Sequence, residues 1–244
     1  MKENKYDDPV FFQQYCNMER SIKGLQGAGE WYLLKKMFPN FRGKRVLDLG
    51  CGFGWHCRYA AEQGATHVTG IDISKNMISR ALQINKLPGI EYQLMPIEDI
   101  DYPESSYDIV ISSLTFHYIQ SFNDICKKIS SCLTQGGHFI FSVEHPVFTA
   151  AGNQEWLYDE KGNKVCWPVD KYFTEGKREA VFLGEKVIKY HRTLTTYLNE
   201  LLKNGLEIKE IIEPEPNQEM IEQIPEMKDE LRRPMMLLVS CIKK

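Results

Sequence analysis

The 244-residue chain lacks three features that would each point to a particular class of protein. It has no apolar run long enough for a membrane-spanning helix, and its polar first eight residues predict no secretion signal. Its net charge of −3 gives no excess of Lys and Arg to neutralise a phosphate backbone, which disfavours nucleic acid as a substrate. Its seven cysteines form no C-x-x-C pair, which argues against structural zinc and disulfides. We therefore expect a soluble cytoplasmic protein without a metal ion or a membrane partner.

The chain does have a hydrophobic fraction of 43% and a regular alternation of strand-like and helix-like segments. That alternation predicts an α/β fold, with a mostly parallel sheet and helices on both faces. The length suits one core with additions, so we predict a single domain over residues 1–244 and leave the oligomeric state open.

A glycine-spaced turn follows an apolar strand at residues 46–54, which read VLDLGCGFG. Gly50, Gly52 and Gly54 have no Cβ, so a ligand can lie directly against this main chain. The helix-like segment after the turn offers free N–H groups at its beginning, as in Rossmann-like nucleotide sites. Asp48 would repel a pyrophosphate but would attract the cationic amino-acid end of a sulfonium cofactor. The loop therefore favours S-adenosylmethionine over NAD.

A second apolar strand at residues 66–71 leads into Asp72, about 20 residues after the glycine loop. Folds of this kind place an acidic residue at that point, where its carboxylate binds the ribose hydroxyls. Asp72 is therefore the predicted ribose ligand.

Six segments, in this order along the chain, resemble the motifs of the class I S-adenosylmethionine-dependent methyltransferases: 46–54, 70–74, 97–100, 106–113, 114–119 and 133–139. The resemblance implies a Rossmann-like sheet of seven strands with the last strand antiparallel. It also implies S-adenosylmethionine as the cofactor and S-adenosylhomocysteine as the product. Pro96 departs from the pattern, because many relatives carry an aspartate there for the adenine amino group. Ile97 and Glu98 are the predicted substitutes.

The residues that this resemblance and the loop chemistry assign to the cofactor are Tyr15, Arg20, Asp48, Gly50, Cys51, Gly52, Gly54, Asp72, Ile73, Met77, Ile97, Glu98 and Ser113. Tyr15 and Arg20 belong to an amino-terminal addition, residues 1–40, which we predict to be a helical lid over the cofactor. The alternative is an amphipathic helix that only packs on the core.

A second addition, residues 146–192, is too long for a simple connection and predicts a β-rich cap over the acceptor site. Ligands bind beyond the carboxyl ends of parallel strands, which is where this insertion begins. Its aromatic side chains favour an acceptor with an apolar or planar body, although they could equally form the core of the cap itself. They are Phe148, Trp156, Tyr158, Trp167, Tyr172, Phe173, Phe182 and Tyr190.

Methyl transfer from a sulfonium is an in-line displacement that needs alignment and sometimes a base. His117, Glu144, His145 and His191 are the candidate bases, and His117, Glu144 and His145 are the predicted catalytic residues. Packing beneath the cofactor is the alternative role for His117.

The leading hypothesis is methyl transfer to oxygen or nitrogen of a small molecule. No Asn/Asp-Pro-Pro-Tyr/Phe run follows the fourth strand, which points away from methylation of nucleobase amino groups. One alternative is a tRNA-modifying methyltransferase, and another is a cofactor-binding protein without transfer activity. A basic run within the cap supports the tRNA alternative: Lys171, Lys177, Arg178, Lys186, Lys189 and Arg192.

Overall fold

The computed structural model describes residues 4–244, so the first three residues of the predicted lid lie outside the described part. Its strands are β1 (Arg45–Leu49), β2 (His67–Asp72), β3 (Ile90–Leu94), β4 (Tyr107–Ser113), β5 (Leu133–Glu144), β6 (Leu157–Tyr158), β7 (Lys164–Cys166), β8 (Gly176–Phe182), β9 (Glu185–His191), β10 (Leu206–Ile212) and β11 (Met236–Lys243). Its α-helices are α1 (Pro9–Cys16), α2 (Glu19–Ile22), α3 (Trp31–Met37), α4 (Trp55–Glu62), α5 (Lys75–Ile84), α6 (Phe122–Cys132), α7 (Pro146–Thr149), α8 (Leu194–Lys203) and α9 (Gln218–Gln223).

Seven strands form one sheet in the order β10-β11-β5-β4-β1-β2-β3. The pairs on either side of β1 are parallel, whereas β11 runs antiparallel to both β5 and β10. The predicted fold class is therefore confirmed, including the reversed last strand. β5 includes the motif segment 133–139, and its pairing with β4 has a register shift between Tyr107 and Ile109.

Both faces of the sheet are buried, as the continuous apolar strands predict. Successive residues of a strand point to opposite faces, so Leu47 and Leu49 join one core cluster while Val46 joins the other. The larger cluster is packed under α6 and α8, and the smaller one under α3, α4 and α5. With its faces covered, the sheet has its carboxyl edge available for ligand binding.

The amino-terminal addition is a broken helix rather than one continuous segment. Asp8 caps α1 by accepting hydrogen bonds from the N–H groups of Val10 and Phe11, both at 3.0 Å. α1 ends at Cys16, and α2 follows after Asn17 and Met18. Gly27 lies so close to α2 that a Cβ there would stand 2.3 Å from the carbonyl oxygen of Glu19. This close packing fixes the turn between α2 and α3.

The insertion is β-rich, as predicted, and consists of two separate hairpins, β6-β7 and β8-β9. Its second hairpin returns to the core through Arg192, a buried side chain at the end of β9. The Arg192 guanidinium donates to the carbonyl oxygens of Phe116 and Ile119, and to that of Gln120 at 2.8 Å. Arg192 therefore ties the insertion to the segment after β4.

We predict that Arg192→Met lowers the free energy of unfolding by about 3 kcal/mol, because it leaves buried carbonyl groups without donors. Urea denaturation followed by circular dichroism measures this change. Lys186→Met is the control, since Lys186 is an exposed cation on the same hairpin, and we expect a change within about 0.5 kcal/mol. Equal stabilities of the two variants would contradict the anchoring role of Arg192.

Candidate active site

The glycine loop lies where two neighbouring strands end. Gly50 follows β1 with φ of +74°, a conformation that favours glycine, and a Cβ there would stand 2.5 Å from the Thr115 side chain. Thr115 follows β4, the neighbour of β1, so the loops after the two strands are in contact. Gly54 has φ of +77°, and α4 begins at the next residue. A residue other than glycine would be strained at Gly50 and Gly54. The main chain of the loop is open to a ligand at Gly50 and Gly52, which line the cavity described below.

Asp72 closes the other side of the loop from the end of β2. Its carboxylate accepts hydrogen bonds from the N–H groups of Gly52 at 3.0 Å and Ser74 at 2.9 Å. Burial raises the pKa of Asp72 to about 6, although these backbone hydrogen bonds act in the opposite direction. Asp72 is therefore oriented by the loop and ionised at neutral pH.

Asp48 lies behind the loop and does not line the cavity described next. Its carboxylate accepts a hydrogen bond from the Cys57 thiol at 3.2 Å. Burial, with a smaller contribution from Asp72, raises the pKa of Asp48 to about 7. Cys51 is also buried, and burial raises the pKa of its thiol to about 11, so the thiol stays protonated.

A cavity of about 430 Å³ extends from the glycine loop to the insertion. It brings together most of the predicted cofactor residues, namely Tyr15, Arg20, Gly50, Gly52, Asp72, Ile73, Met77, Ile97, Glu98 and Ser113. Asp48, Cys51 and Gly54 are not among its lining residues. Among the predicted catalytic residues, His117 and Glu144 line the cavity and His145 does not.

Glu30 is a cavity residue that the sequence analysis missed. It is 1% exposed, and the Arg20 guanidinium donates to its two carboxylate oxygens at 2.8 and 2.9 Å. Ser113 donates to the same carboxylate at 3.5 Å, which links the amino-terminal addition to the end of β4. Glu30 and Arg20 thus present opposite charges at the cofactor side of the cavity, where an amino-acid group carries both an ammonium and a carboxylate.

His117 is buried, and its Nδ1 accepts a hydrogen bond from the Glu144 N–H at 3.3 Å. Burial lowers the pKa of His117 to about 4, so the ring is neutral at physiological pH. Because Nδ1 is the acceptor, the single ring proton lies on Nε2. His117 therefore lines the cavity as a neutral ring with an N–H donor at Nε2.

Glu144 ends β5 and is held by two side chains of the insertion. Lys189 donates to its Oε1 at 2.6 Å, and Gln154 donates to its Oε2 at 2.7 Å. Burial opposes ionisation of Glu144, but His117, Lys189 and these hydrogen bonds keep its pKa below the usual value. Lys189 itself is 2% exposed, and its ammonium also donates to the Gln154 side-chain oxygen at 2.8 Å. Glu144 is therefore an ionised hydrogen-bond acceptor.

His145 and His191 have contacts outside the cavity. His145 Nδ1 accepts from the Val147 N–H at 3.0 Å, which caps α7, and its Nε2 lies 2.8 Å from a carboxylate oxygen of Glu213. His191 is hydrogen-bonded through one ring nitrogen to Thr149 at 2.8 Å and through the other to the Tyr172 carbonyl, also at 2.8 Å. Both rings hold the ends of the insertion in place.

Most aromatic side chains of the insertion pack on one another instead of facing the cavity, where Phe182 is their one representative. Phe148 and Trp167 are stacked with ring centroids 4.8 Å apart, and the Arg233 guanidinium lies 4.2 Å from the Trp167 ring centre. Phe173, in contrast, is 90% exposed. A small aromatic cluster within the insertion therefore accounts for Phe148, Trp156 and Trp167.

A segment near the carboxyl end completes the cavity, and no pattern in the sequence singled it out. Met227, Glu230, Met235 and Met236 line the cavity. The Arg233 guanidinium is paired with Glu230, and Lys164 of β7 donates to Asp229 at 2.7 Å. Segment 114–119, one of the six motif segments, contributes Leu114, Thr115, Tyr118 and Ile119 to the lining. No sequence pattern assigned a site role to Lys5, Tyr6, Met18 and Val187, which also line the cavity.

Within the described residues, 4–244, no group of three or more His, Cys, Asp or Glu side chains could hold a metal ion. None of the helices described for these residues combines the length and hydropathy needed to cross a membrane.

Residues 47–141 match the family model of a methyltransferase domain. The chain is 58% identical to a Listeria monocytogenes protein described as a candidate S-adenosylmethionine-dependent methyltransferase; the match covers 91% of this chain and 99% of the other, with a TM-score of 0.86. An S-adenosylmethionine-dependent methyltransferase from Mesorhizobium loti is 41% identical over 90% of this chain and all of its own, with a TM-score of 0.84.

An uncharacterized protein of Haemophilus influenzae is 32% identical over 99% of this chain and 98% of its own length. Several other curated relatives match this chain over only part of their own length. Phosphoethanolamine N-methyltransferase 1 of Arabidopsis thaliana, for example, is 36% identical over 50% of this chain and 25% of its own length.

Nearly complete matches to S-adenosylmethionine-dependent methyltransferases agree with the glycine loop, the sheet order and the cavity. The chain is thus an enzyme that uses S-adenosylmethionine, and it belongs to the S-adenosylmethionine-dependent methyltransferases.

Proposed function

We propose that this enzyme transfers the methyl group of S-adenosylmethionine to a small-molecule acceptor. The observation that carries the proposal is one cavity that runs from the glycine loop to side chains of both additions. Its volume of about 430 Å³ lies at the lower end of small-ligand pockets, which span roughly 300–1,000 Å³. Acceptor and cofactor would share this space.

The residues around the glycine loop would hold the cofactor. Asp72 would accept hydrogen bonds from the ribose hydroxyls, while Ile97 and Glu98 would border the adenine. Arg20 would pair with the carboxylate of the cofactor's amino-acid end, and Glu30 with its ammonium group. In this assignment residues 1–40 act as the lid, as the sequence predicts.

The acceptor would lie at the opposite end, between His117, Glu144 and the insertion. Tyr118, Phe182 and Val187 line this end and would contact an apolar body. In this assignment residues 146–192 form the cap, and the whole chain acts as one domain. The acceptor in the name of the Arabidopsis relative, phosphoethanolamine, is also a small molecule. The likeness supports a small-molecule acceptor for this chain, but it does not identify the acceptor as phosphoethanolamine.

The tRNA alternative depends on the basic run of the insertion, but half of these side chains form hydrogen bonds within the protein. Lys189 and Arg192 are 2% and 6% exposed, and each is bonded to the protein itself. Arg178 donates to the carbonyl oxygens of Ala150 and Thr174. Three exposed lysines of the run remain for a phosphate backbone, and so this face supports tRNA binding poorly.

We predict that Asp72→Ala weakens S-adenosylmethionine binding by roughly 100-fold, because two hydrogen bonds to a charged group are lost. Isothermal titration calorimetry measures the dissociation constant. Asp101→Ala replaces an exposed aspartate and should leave the constant unchanged. Unchanged affinity in Asp72→Ala would contradict the ribose assignment.

Cofactor binding should also depend on pH through Asp72, whose pKa of about 6 means that acid protonates it. A cationic cofactor favours the ionised carboxylate, so affinity should be full at pH 8 and fall by up to roughly tenfold per pH unit below pH 6. Asp72→Asn should flatten that part of the profile. A wild-type profile that coincides with that of Asp72→Asn would show that Asp72 does not bear on binding.

The acceptor class can be tested by offering the purified protein methyl-labelled S-adenosylmethionine with separated metabolite, RNA and protein fractions of a cell extract. We expect label in the small-metabolite fraction. Label confined to RNA or protein would overturn the proposal. Cofactor binding without transfer to any fraction would favour a binding protein without activity.

A further inference from the structure

The cavity lining carries a surplus of negative charge. Its acidic side chains are Glu30, Asp72, Glu98, Glu144 and Glu230, and its basic side chains are Lys5 and Arg20. S-adenosylmethionine has one sulfonium, one ammonium and one carboxylate, so its net charge is +1. Lys189 and Arg233 are paired with two of these acids and reduce the surplus to one, which the charge of the cofactor balances. The cavity with its cofactor therefore has no spare positive charge for an anionic acceptor.

Two of these carboxylates, Glu144 and Glu230, lie at the acceptor end, and each is backed by a buried cation. Lys189 is paired with Glu144 at 2.6 Å, and Arg233 is paired with Glu230. Unlike Arg20, neither Lys189 nor Arg233 lines the cavity, and both have carboxylate partners, so they are not available to an incoming anion. The remaining cation at this end, Lys5, is partly exposed and lies 3.7 Å from Glu185. A carboxylate or phosphate acceptor would therefore lie beside carboxylates without compensation.

A hydroxyl acceptor requires a base that takes its proton as the bond to carbon forms. His117 has its proton on Nε2 and accepts the Glu144 N–H at Nδ1, so neither nitrogen has a lone pair for this task. Glu144 shares its carboxylate with Lys189 and Gln154, which makes it a weak base. The described residues at the acceptor end thus orient a substrate better than they deprotonate one.

An uncharged amine needs neither a cation as partner nor a base, because its nitrogen has a lone pair and no negative charge. Glu144 can accept a hydrogen bond from the amine N–H, and Tyr6, Tyr118 and Phe182 provide aromatic surface nearby. From these contacts, and resting on the proposed function, we infer that the acceptor is an amine with an apolar body, methylated on nitrogen, and that Glu144 is its recognition residue.

The reaction balances without a further reactant. The nitrogen lone pair forms the new N–CH₃ bond, the CH₃–S bond breaks, and its electron pair stays on sulfur. S-adenosylhomocysteine leaves with an uncharged sulfur, and the positive charge passes to the methylated nitrogen. The carboxylates of Glu144 and Glu230 stabilise charge that develops at this end of the cavity.

The test uses three matched acceptors with one apolar body: 2-phenylethylamine, 2-phenylethanol and 3-phenylpropionate, together with the same three functional groups on cyclohexyl and octyl bodies. Product formation is followed by mass spectrometry with wild-type protein and S-adenosylmethionine. We expect methylated amines only. Below the pKa of the amine, kcat/KM should rise roughly tenfold per pH unit as the uncharged amine accumulates.

Glu144→Gln should lower kcat/KM for the amine by roughly 10- to 100-fold while leaving the dissociation constant of S-adenosylmethionine within about twofold. Because that change leaves Lys189 buried without its partner, the combination Glu144→Gln with Lys189→Met serves as a second variant without the unpaired charge. Thermal unfolding verifies that each variant is folded. Glu210→Gln, on the exposed face of the edge strand β10, is the matched control.

Turnover of the alcohols or carboxylates instead of the amines would overturn the amine assignment and leave the small-molecule proposal intact. Absence of turnover for every amine, with S-adenosylmethionine bound, would also overturn the amine assignment. Amine turnover that is unchanged in both Glu144 variants would overturn the role of Glu144. Label found only in RNA or protein in the fraction experiment would overturn the proposed function and this inference with it.

Discussion

The reversal of strand order between β1 and β4 is the constraint on which the rest of the structure depends. From β1 the chain extends the sheet through β2 and β3 on one side, whereas β4 and β5 lie on the other. The chain therefore leaves β1 and β4 toward helices on opposite faces of the sheet, and a crevice lies between these connections at the carboxyl edge. Gly50 and Thr115 flank that crevice and approach so closely that only glycine fits at residue 50. The glycine loop, Asp72 and Glu144 are all placed by this one topological feature.

Three charge pairs with buried members then border the crevice. Arg20 and Glu30 lie within the amino-terminal addition, Lys189 connects the insertion to Glu144, and Arg233 holds Glu230 near the carboxyl end. Each of these pairs includes a side chain that is at most 8% exposed, so breaking it would leave an uncompensated buried charge. The pair of Lys189 and Glu144 joins the insertion to the end of β5, while the other two pairs each stabilise the local shape of one segment. All three pairs also fix which oxygen and nitrogen atoms remain for a substrate.

The sequence predicted the part of the site that short-range signals encode. The glycines at 50, 52 and 54, and Asp72 at the end of the next strand, follow from local backbone chemistry, and the fold class follows from the alternation of elements. Lys189 carried no such signal, because its partner Glu144 lies 45 residues away in the sequence. Glu30 and Glu230 have partners nearby in the sequence, but only the folded chain brings these pairs to the cavity. His145 shows the converse, since a polar residue after a buried strand suited a catalytic role and instead caps α7. The predicted cofactor and catalytic assignments that line the cavity stay predictions.

The central claim is that cofactor and acceptor share one cavity, with the reacting sulfur between the glycine loop and the pair formed by His117 and Glu144. A crystal structure of the complex with S-adenosylhomocysteine tests it most directly. The account predicts ribose hydroxyls on the Asp72 carboxylate, the amino-acid end at Arg20 and Glu30, and sulfur facing the end lined by Tyr118 and Phe182. A nucleoside bound outside this cavity, or sulfur directed away from His117 and Glu144, would contradict it.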